Sequence, residues 1–380
     1  MADLDDIGDA EQEYNETDIM KDVIVLSAGG TGGHVFPAEA LAQELRARGY
    51  RIVIITDKRG YAFGRLGDDV PVHCVRAATL KSGIRGKVRA AVQMGIGILH
   101  AAILLLKYRP VVIVGFGGYP SFPAVFAGQL LGMSTVLHEQ NAVLGRANAV
   151  LARRAKAIAT SLPDTIGIGE KDKAKVTLTG NPVRSEIIGV RDVTYEAPVD
   201  KIKILITGGS QASDVFARVV PSAVMHLPEG LRRRLFIMHQ ARAASMAETE
   251  LKYKEAGVWA EVKPFFTDMP ARLKACHLFI GRAGASTVCE IAVTGRPAIF
   301  VPYPGHGDEQ QKHNANTIAA KGGAWMMTED VFTPEKLAET LTELIKEPLM
   351  LKQVADIART CGKPDAVHHL AKLVERRIKT

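Results

Sequence analysis

The sequence predicts an α/β protein made of two Rossmann-like domains that face each other across a cleft. Short β-branched runs alternate with helical stretches along the 380 residues, a pattern typical of βαβ units and parallel sheets. The pattern starts again after an irregular stretch, and two similar strand–glycine-turn–helix openings stand at residues 28–34 and 207–213. In open α/β sheets ligands bind beyond the carboxyl ends of the strands, where such turns lie, so we expect the site there.

The elements follow in order along the chain. A strand at 22–27 and a helix from Phe36 to Arg48, which Gly49 ends, open the first half. Further strands are predicted at 51–56, 111–115, 134–138 and 156–160. In the second half, strands are predicted at 203–207, 234–239, 259–265, 277–281 and 297–302, with a helix near Ser213–Leu227. Thr179–Lys201, with two X-Pro pairs, is the expected linker, and the last 45 residues read as helices only.

The charge is distributed unevenly. The net charge is +7, but residues 1–20 hold eight acidic residues and no Lys or Arg, so residues 21–380 carry 48 bases against 33 acids, or +15. A basic body suits an anionic partner such as nucleic acid, a membrane face or a phosphorylated ligand, although charge also serves solubility alone. A composition of 47% apolar and 23% charged residues excludes wholesale disorder, collagen and a disulfide scaffold.

Cysteine spacing and the N-terminal composition indicate a reducing compartment. The four cysteines, at 74, 276, 289 and 361, are far apart with no CxxC pair, which also argues against a zinc site. The acidic start lacks the basic and apolar regions of a signal peptide, so we expect none.

One segment raises the question of a membrane. Residues 90–106 are apolar except for Gln93 and His100, a run shorter than the roughly 20 residues that span a bilayer. Basic residues flank the run: Lys81, Arg85, Lys87 and Arg89 before it, and Lys107 and Arg109 after it. Two interpretations stay open: a helix buried in the core, or a helix that rests on an anionic membrane while its basic neighbours meet headgroups.

The first glycine turn does not fit a dinucleotide-binding fingerprint, because Val35 stands where a third glycine is needed. A dehydrogenase with Asp57 on the ribose is therefore disfavoured. The glycines instead expose backbone at a helix N-terminus, and His34 follows directly. A histidine there suits a general base near neutral pH, the alternative being a structural residue at the helix start.

A second constellation is GRAGASTVCE (281–290). Its glycines allow a tight turn, Ser286 and Thr287 suit a helix start that binds phosphate, and Glu290 is placed to accept hydrogen bonds from a ribose diol. An ordinary capped helix is the alternative. The polar stretch PGHGDEQQKHNA (304–315) follows at another strand end. The one DxD match, Asp3-Leu4-Asp5, lies in the acidic tail, and no metal-binding His/Cys pattern occurs in the sequence.

Seven segments carry a resemblance to a known family. In chain order they are AGGTGGHVFPAEALA (28–42), GGYPSFPA (117–124), HEQNAVLGRAN (138–148), GNPVR (180–184), GGSQAS (208–213), GASTVCEI (284–291) and DEQQ (308–311). They resemble the MurG family of peptidoglycan N-acetylglucosaminyltransferases, and the resemblance covers about residues 22–380 without the acidic tail.

The resemblance implies a GT-B fold and a definite reaction. N-acetylglucosamine would pass, with inversion, from UDP-N-acetylglucosamine to undecaprenyl-diphospho-muramoyl-pentapeptide (lipid I), giving lipid II and UDP for peptidoglycan synthesis. No metal or other cofactor is implied. The implied partners are the UDP-sugar, the polyprenyl-diphosphate acceptor, the anionic cytoplasmic face of the bacterial inner membrane, and cell-wall synthesis and division proteins; nucleic acid is not expected.

The resemblance also implies domains and site residues. The expected divisions are a disordered acidic tail (1–20), an acceptor and membrane-side domain (21–183 plus 362–380) and a UDP-sugar domain (184–361). The donor site would comprise Thr31, Gly32, Gly33, Asn141, Arg184, Ser210, Phe266, Ala285, Ser286, Thr287, Val288, Cys289, Glu290, Gln310 and Gln311. His34 would be the general base, with Glu139 competing with it or orienting it. Tyr119, Asn141 and His34 would hold the acceptor.

Two other functions remain open at this point. A UDP-N-acetylglucosamine 2-epimerase shares the fold and the donor, and a non-catalytic membrane-associated scaffold of the cell-wall machinery shares the surface. The glycine turn with His34, the HEQN segment and GNPVR favour transfer to an acceptor over both.

Overall fold

The computed structural model describes residues 21–30, 32–58, 66–67, 69–78, 83–209, 213–305 and 307–378. The acidic tail lies outside these residues. All sheets described below are parallel throughout.

The first sheet has seven strands, and the helices of the first half cover its two faces. The strands are β1 (Lys21–Ser27), β2 (Tyr50–Thr56), β3 (Val72–Cys74), β4 (Val112–Gly115), β5 (Thr135–Glu139), β6 (Ala157–Thr160) and β7 (Val176–Leu178), in the spatial order β3-β2-β1-β4-β5-β6-β7. The helices are α1 (Gly32–Ala47), α2 (Ile84–Tyr108), α3 (Gly118–Leu130) and α4 (Arg146–Ala152).

The second sheet has six strands. They are β8 (Ile202–Thr207), β9 (Leu235–Gln240), β10 (Trp259–Lys263), β11 (Leu278–Gly281), β12 (Ala298–Phe300) and β13 (Trp325–Met326), in the order β10-β9-β8-β11-β12-β13. The helices are α5 (Ser185–Ile188), α6 (Asp214–His226), α7 (Glu229–Arg232), α8 (Ala243–Glu255), α9 (Met269–Ala275), α10 (Ala285–Thr294), α11 (Gln310–Ala319), α12 (Pro334–Lys346), α13 (Pro348–Cys361) and α14 (Ala366–Ile378).

Each sheet has a point where the strand order reverses. In the first sheet it lies between β1 and β4, and in the second between β8 and β11. Helices that follow these strands leave the sheet on opposite faces, which opens a crevice at the carboxyl ends. Both predicted glycine turns therefore lie at the binding crevice of their own sheet.

The core of each domain follows from strands that are buried on both faces. Ile24 and Leu26 of β1 pack under α1 with Val114 of β4, and the side chains between them face α2 and α3. Helix α14 returns to the first sheet, where Leu370 and Val374 join the cluster beneath α1.

The predicted strands are confirmed to within a few residues, with three differences elsewhere. Helix α1 begins at Gly32, four residues before the predicted start at Phe36. The expected irregular linker contains α5 and a 3-10 turn at Gly189–Asp192, with Ile187 and Val190 buried. Strands β3, β7 and β13 were not predicted, because two or three residues at a sheet edge leave too short a pattern.

Candidate active site

Two helix N-termini face each other across the cleft between the domains. The Ser286 hydroxyl, in the first turn of α10, donates to the carbonyl oxygen of Gly33 in α1 over 3.4 Å. That carbonyl lacks its usual helical partner, because residue 37 is proline and has no N–H. Asn181 of the interdomain linker donates to the same hydroxyl over 3.5 Å. The positive ends of both helix dipoles thus point into the cleft.

His34 lies in the first turn of α1 and is half-buried. Its Nδ1 is 2.9 Å from Oε1 of Gln140, in the loop that follows β5. Its Nε2 lies beside Gly118 at the start of α3, where a Cβ atom would be only 3.3 Å away. Gly118 also has a φ of +68°, so the position favours glycine for its backbone as well as for its size. The ring therefore has one nitrogen held by protein and the other turned towards the α3 N-terminus.

The Glu139 carboxylate organises the loop after β5. Oε1 accepts from the backbone and side-chain amides of Asn141 at 3.0 and 3.2 Å. Oε2 accepts from the Gly145 N–H at 2.9 Å and the Asn148 amide at 2.8 Å. A buried carboxylate whose two oxygens each accept two hydrogen bonds is a poor competitor for a substrate proton. The geometry fits the alternative in which Glu139 positions its neighbours.

Asn141 links that loop to the second domain through a residue that the sequence did not reveal. Asn314, fully buried on α11, donates to Oδ1 of Asn141 over 3.1 Å and to the Ala283 carbonyl over 3.1 Å. Its own Oδ1 accepts from the Ala142 N–H over 2.8 Å. Asn314 lies in the polar stretch that was noted at 304–315, but nothing in that stretch predicted partners some 170 residues away.

Glu290 and Arg184 line the second-domain side of the cleft. Nη2 of Arg184 is 3.3 Å from Oε1 of Glu290, and the guanidinium lies 4.6 Å from the ring centroid of Phe36 on α1. The Glu290 side chain is only 17% exposed. Burial raises its pKa above the ordinary value, and the Arg184 charge and hydrogen bond oppose that rise.

The remaining predicted donor residues divide into side-chain and backbone contributors. Oε1 of Gln311 accepts from the N–H groups of Ala283 at 3.2 Å and Tyr303 at 3.0 Å, which joins the loops after β11 and β12. Gln310 donates to Asp308 over 3.0 Å. The side chain of Phe266 is buried beneath the Arg272 guanidinium, 3.9 Å from the ring centroid, so only its backbone is offered to the cleft.

Three predicted donor residues on α10, Ala285, Val288 and Cys289, have buried side chains and contribute backbone only. Burial raises the pKa of the Cys289 thiol to about 12. Ser286 and Thr287 remain half-buried at the helix start. Among the described residues, no three His, Cys, Asp or Glu side chains converge as metal ligands.

Comparisons with known proteins agree on one family. Residues 24–160 match the glycosyltransferase family 28 N-terminal domain and residues 203–370 match its C-terminal domain. A UDP-N-acetylglucosamine–N-acetylmuramyl-(pentapeptide) pyrophosphoryl-undecaprenol N-acetylglucosamine transferase from Rhodospirillum centenum is 53% identical over 353 residues, covering 92% of this chain and 93% of that one. The chain belongs to the MurG family. The resemblance seen in the sequence is thereby confirmed.

Solved structures agree with this assignment. The crystal structure of MurG from Acinetobacter baumannii has a TM-score of 0.76 and 29% identity, covering 94% of this chain and all of that one. The predicted GT-B fold is confirmed. A UDP-N-acetylglucosamine 2-epimerase from Neisseria meningitidis has a TM-score of 0.63 over 94% of this chain, but at 11% identity it shares the fold alone.

Tyr119 lies on the first-domain side of this MurG-family cleft. Its hydroxyl is 3.5 Å from Oδ2 of Asp57, a buried residue at the end of β2. Asp57 in turn closes on the glycine turn, since a Cβ atom at Gly29 would lie 2.8 Å from Oδ1. Tyr119 and the glycine turn are therefore packed together through Asp57.

The predicted apolar segment is part of a longer helix, α2. By length and composition alone α2 could cross a membrane, with a mean hydropathy of 1.7 over its best window. One face is nevertheless built into the first domain: Ala101 and Leu105 are fully buried, and Gly97 packs so closely that a Cβ atom would be 1.8 Å from the Arg76 carbonyl oxygen. On this face the interpretation of a core helix holds.

The opposite face of α2 is exposed and apolar. Six exposed hydrophobic residues follow each other at intervals of three or four, which places them along one stripe: Val88, Val92, Ile96, Leu99, Ile103 and Leu106. Arg85, Lys87 and Arg89 are exposed near the start of the helix. Of the other predicted residues, Lys81, Thr31 and Ser210 lie outside the described residues.

Proposed function

We propose that this MurG-family chain transfers N-acetylglucosamine from UDP-N-acetylglucosamine to the muramoyl 4-hydroxyl of undecaprenyl-diphospho-muramoyl-pentapeptide. The observation that carries the proposal is the pair of helix N-termini joined by Ser286 and Gly33, with His34 on the rim between them. The names of the relatives supply the donor and acceptor classes.

The donor fits the second-domain side. The free N–H groups of the α10 first turn, with the Ser286 and Thr287 hydroxyls, suit a diphosphate. Glu290, one turn further on, is placed to accept from the two ribose hydroxyls once its partner Arg184 swings towards the phosphates. Backbone groups near Phe266 and the bridge made by Gln311 would frame the base and sugar.

The reaction needs a base and a stabilised leaving group. The acceptor 4-oxygen attacks the anomeric carbon in line, forming the new glycosidic bond as the bond to the diphosphate breaks. Nε2 of His34 takes the hydroxyl proton, and UDP leaves with the bonding pair and its added negative charge. Helix N-termini and Arg184 face that charge in a sheltered cleft. In this proposal no metal is required for departure.

We also propose that α2 brings the first domain onto an anionic membrane, where the lipid acceptor resides. The stripe of six hydrophobic residues would enter the interface, while Arg85, Lys87 and Arg89, with Lys81, meet headgroups. This assigns much of the +15 body charge to the membrane and to diphosphate substrates, in the setting of the cytoplasmic membrane face.

One assay tests the function directly. Radiolabelled UDP-N-acetylglucosamine is incubated with a lipid I analogue, with and without EDTA, and the products are separated. Label in a β-linked lipid product that EDTA does not reduce supports the proposal, and chelator-sensitive transfer contradicts its metal-free part. Conversion of the UDP-sugar without acceptor would indicate an epimerase, and the lack of any turnover would indicate a scaffold.

A further inference from the structure

A chain of four hydrogen-bonding groups runs from the interdomain linker to His34. The Gly180 carbonyl is 3.3 Å from Nε2 of His138, and Nδ1 of His138 is 2.9 Å from Nε2 of Gln140. Oε1 of Gln140 is 2.9 Å from Nδ1 of His34. His138 and Gln140 are both buried, so water does not supply alternative partners along this path.

The direction of every proton in this chain follows from its linker end. A carbonyl oxygen only accepts, so Nε2 of His138 must carry hydrogen. The Ser161 hydroxyl, 3.2 Å from the same nitrogen, accepts as well, because its own hydrogen is directed at Asn181 Oδ1 over 3.5 Å. Complete burial lowers the pKa of His138 to about 4, so at neutral pH its Nδ1 has a lone pair.

The remaining steps are then forced. The His138 lone pair accepts from the Gln140 amide nitrogen, which turns the Gln140 oxygen towards His34. That oxygen accepts from Nδ1 of His34, so Nδ1 is the protonated nitrogen of the neutral ring. The lone pair is left on Nε2, the nitrogen beside Gly118. A flipped Gln140 amide would put the proton on Nε2 and leave it unable to accept another.

We propose that Gln140 is a positioning residue that holds neutral His34 in its Nδ1-protonated tautomer, and that His138 anchors Gln140 in the orientation this requires. The proposal rests on the proposed function only in taking His34 as the base. It adds which nitrogen acts, and which side chains select that nitrogen. The anchor ends on the linker, where Gly180 packs closely on Lys363, 2.7 Å from where its Cβ atom would lie.

The tautomer is measured without reference to activity. The full chain is labelled with ¹⁵N-histidine, and the His34 and His138 signals are assigned from their loss in His34→Gln and His138→Gln. At pH 7.5 we expect His34 to bear its hydrogen on Nδ1 and His138 on Nε2. A His34 ring protonated on Nε2 in the wild-type protein would overturn the proposal whatever the enzyme transfers.

Kinetics of two Gln140 variants test the consequence. Gln140→Leu removes both hydrogen bonds, so kcat should fall about 10- to 100-fold, within or just below the usual contribution of a general base, while the donor KM stays within about twofold. Gln140→Glu keeps an acceptor for His34 and should retain clearly more kcat than Gln140→Leu. Gln129→Leu on α3, which also loses two hydrogen bonds in the same domain, is the matched control and should keep kcat.

These outcomes separate the two proposals. Equal kcat values for Gln140→Leu and the wild type, or equal losses for the Leu and Glu variants, would overturn the positioning role of Gln140 even though transfer occurs. Wild-type protein that does not glycosylate the lipid acceptor would overturn the proposed function, while the NMR result would still decide the tautomer.

Discussion

Asn314 on α11 and Asn141 in the loop after β5 are joined by a 3.1 Å hydrogen bond across the interdomain cleft. The bond belongs to a larger connection, because Asn314 also binds the backbone of Ala142 in the first domain and Ala283 in the second. One fully buried amide thus uses its oxygen and its nitrogen to hold a first-domain acceptor loop against the turn before α10.

Replacing Asn314 should loosen the cleft. Asn314→Leu removes three hydrogen bonds and leaves buried backbone groups without partners, which should cost about 2–4 kcal/mol of unfolding free energy. The measurement is thermal unfolding of the variant and the wild type at pH 7.5. Asn316→Leu, an exposed position on the same helix, is the control. Equal unfolding temperatures for the two variants would show that the cleft does not depend on this amide.

His34→Ala should abolish transfer while leaving UDP binding intact. The imidazole is the proposed proton acceptor, and its known contacts are with Gln140 and the α3 start and not with the proposed donor pocket. We expect kcat to fall about 10²–10⁴-fold, with the UDP dissociation constant changed less than about threefold. Calorimetry with UDP and the lipid I assay measure the two quantities. Full activity in His34→Ala would eliminate this residue as the base.

The sequence was informative where a signal is local. Strands such as β1 and β8 are continuous apolar runs between turn residues, and the glycine turns mark the two sheet crevices, so fold and cleft were predictable. Long-range partnerships were not. Gln140 meets His34 over 106 residues and Asn314 meets Asn141 over 173, and an isolated Asn or Gln gives no sign of its distant partner.

Local rules also misplaced one boundary for a physical reason. Pro37 argued for a helix that starts at Phe36, because proline inside a helix leaves a carbonyl without a donor. In the structure Gly33 has that carbonyl, and Ser286 of the other domain donates to it. A tertiary contact therefore compensates for the cost that the local rule assigned, and it does so at the centre of the candidate site.

Glu290→Ala should weaken donor binding more than catalysis. A buried carboxylate that accepts from a ribose diol contributes about 1.5–3 kcal/mol, so UDP affinity should fall roughly 10- to 100-fold. Removal of the carboxylate also leaves the Arg184 charge without its present partner at the cleft. UDP titration calorimetry measures the loss, with Glu186→Ala, exposed on the nearby α5, as the control. An unchanged UDP affinity would remove Glu290 from the donor site.

Two buried histidines should make the fold sensitive to mild acid. Burial lowers the pKa of His138 to about 4 and that of His239 to about 3, below the 6.5 of an unperturbed histidine. Below pH 6.5 the unfolded chain binds protons that the folded chain refuses. Stability from this source is therefore complete above pH 6.5 and falls towards pH 4, by about 1.4 kcal/mol per pH unit for each histidine.

The measurement is the unfolding temperature as a function of pH between 7.5 and 4.5. His239→Gln should flatten the acid side of that curve, whereas His226→Gln, at an exposed position, should not. The His239 ring has one nitrogen bound to the Tyr253 hydroxyl at 2.8 Å and the other without a partner, so the variant tests a site away from the cleft. A parallel curve for His239→Gln would contradict the assignment.

The exposed stripe on α2 should carry membrane binding. Leu99 is 65% exposed and Ile103 58% exposed, so Leu99→Glu with Ile103→Glu changes the surface without opening the core. Insertion of each side chain into the interface is worth of order 1 kcal/mol or more, and an added carboxylate is repelled by anionic lipid. We expect binding to vesicles that contain phosphatidylglycerol to fall at least roughly tenfold in a co-sedimentation assay.

Charge and hydrophobic contact are then separated by a second set of variants. Neutralising Lys81, Arg85, Lys87 and Arg89 to Gln should reduce binding to anionic vesicles, with little effect on binding to zwitterionic ones, because only the former provide a negative surface potential. Leu251→Glu, at a similarly exposed leucine on α8 of the second domain, is the matched control. Each variant should glycosylate a short-chain, water-soluble acceptor at the wild-type rate, since the stripe lies outside the proposed catalytic machinery. Vesicle binding that survives both sets of changes would place the membrane contact on another surface.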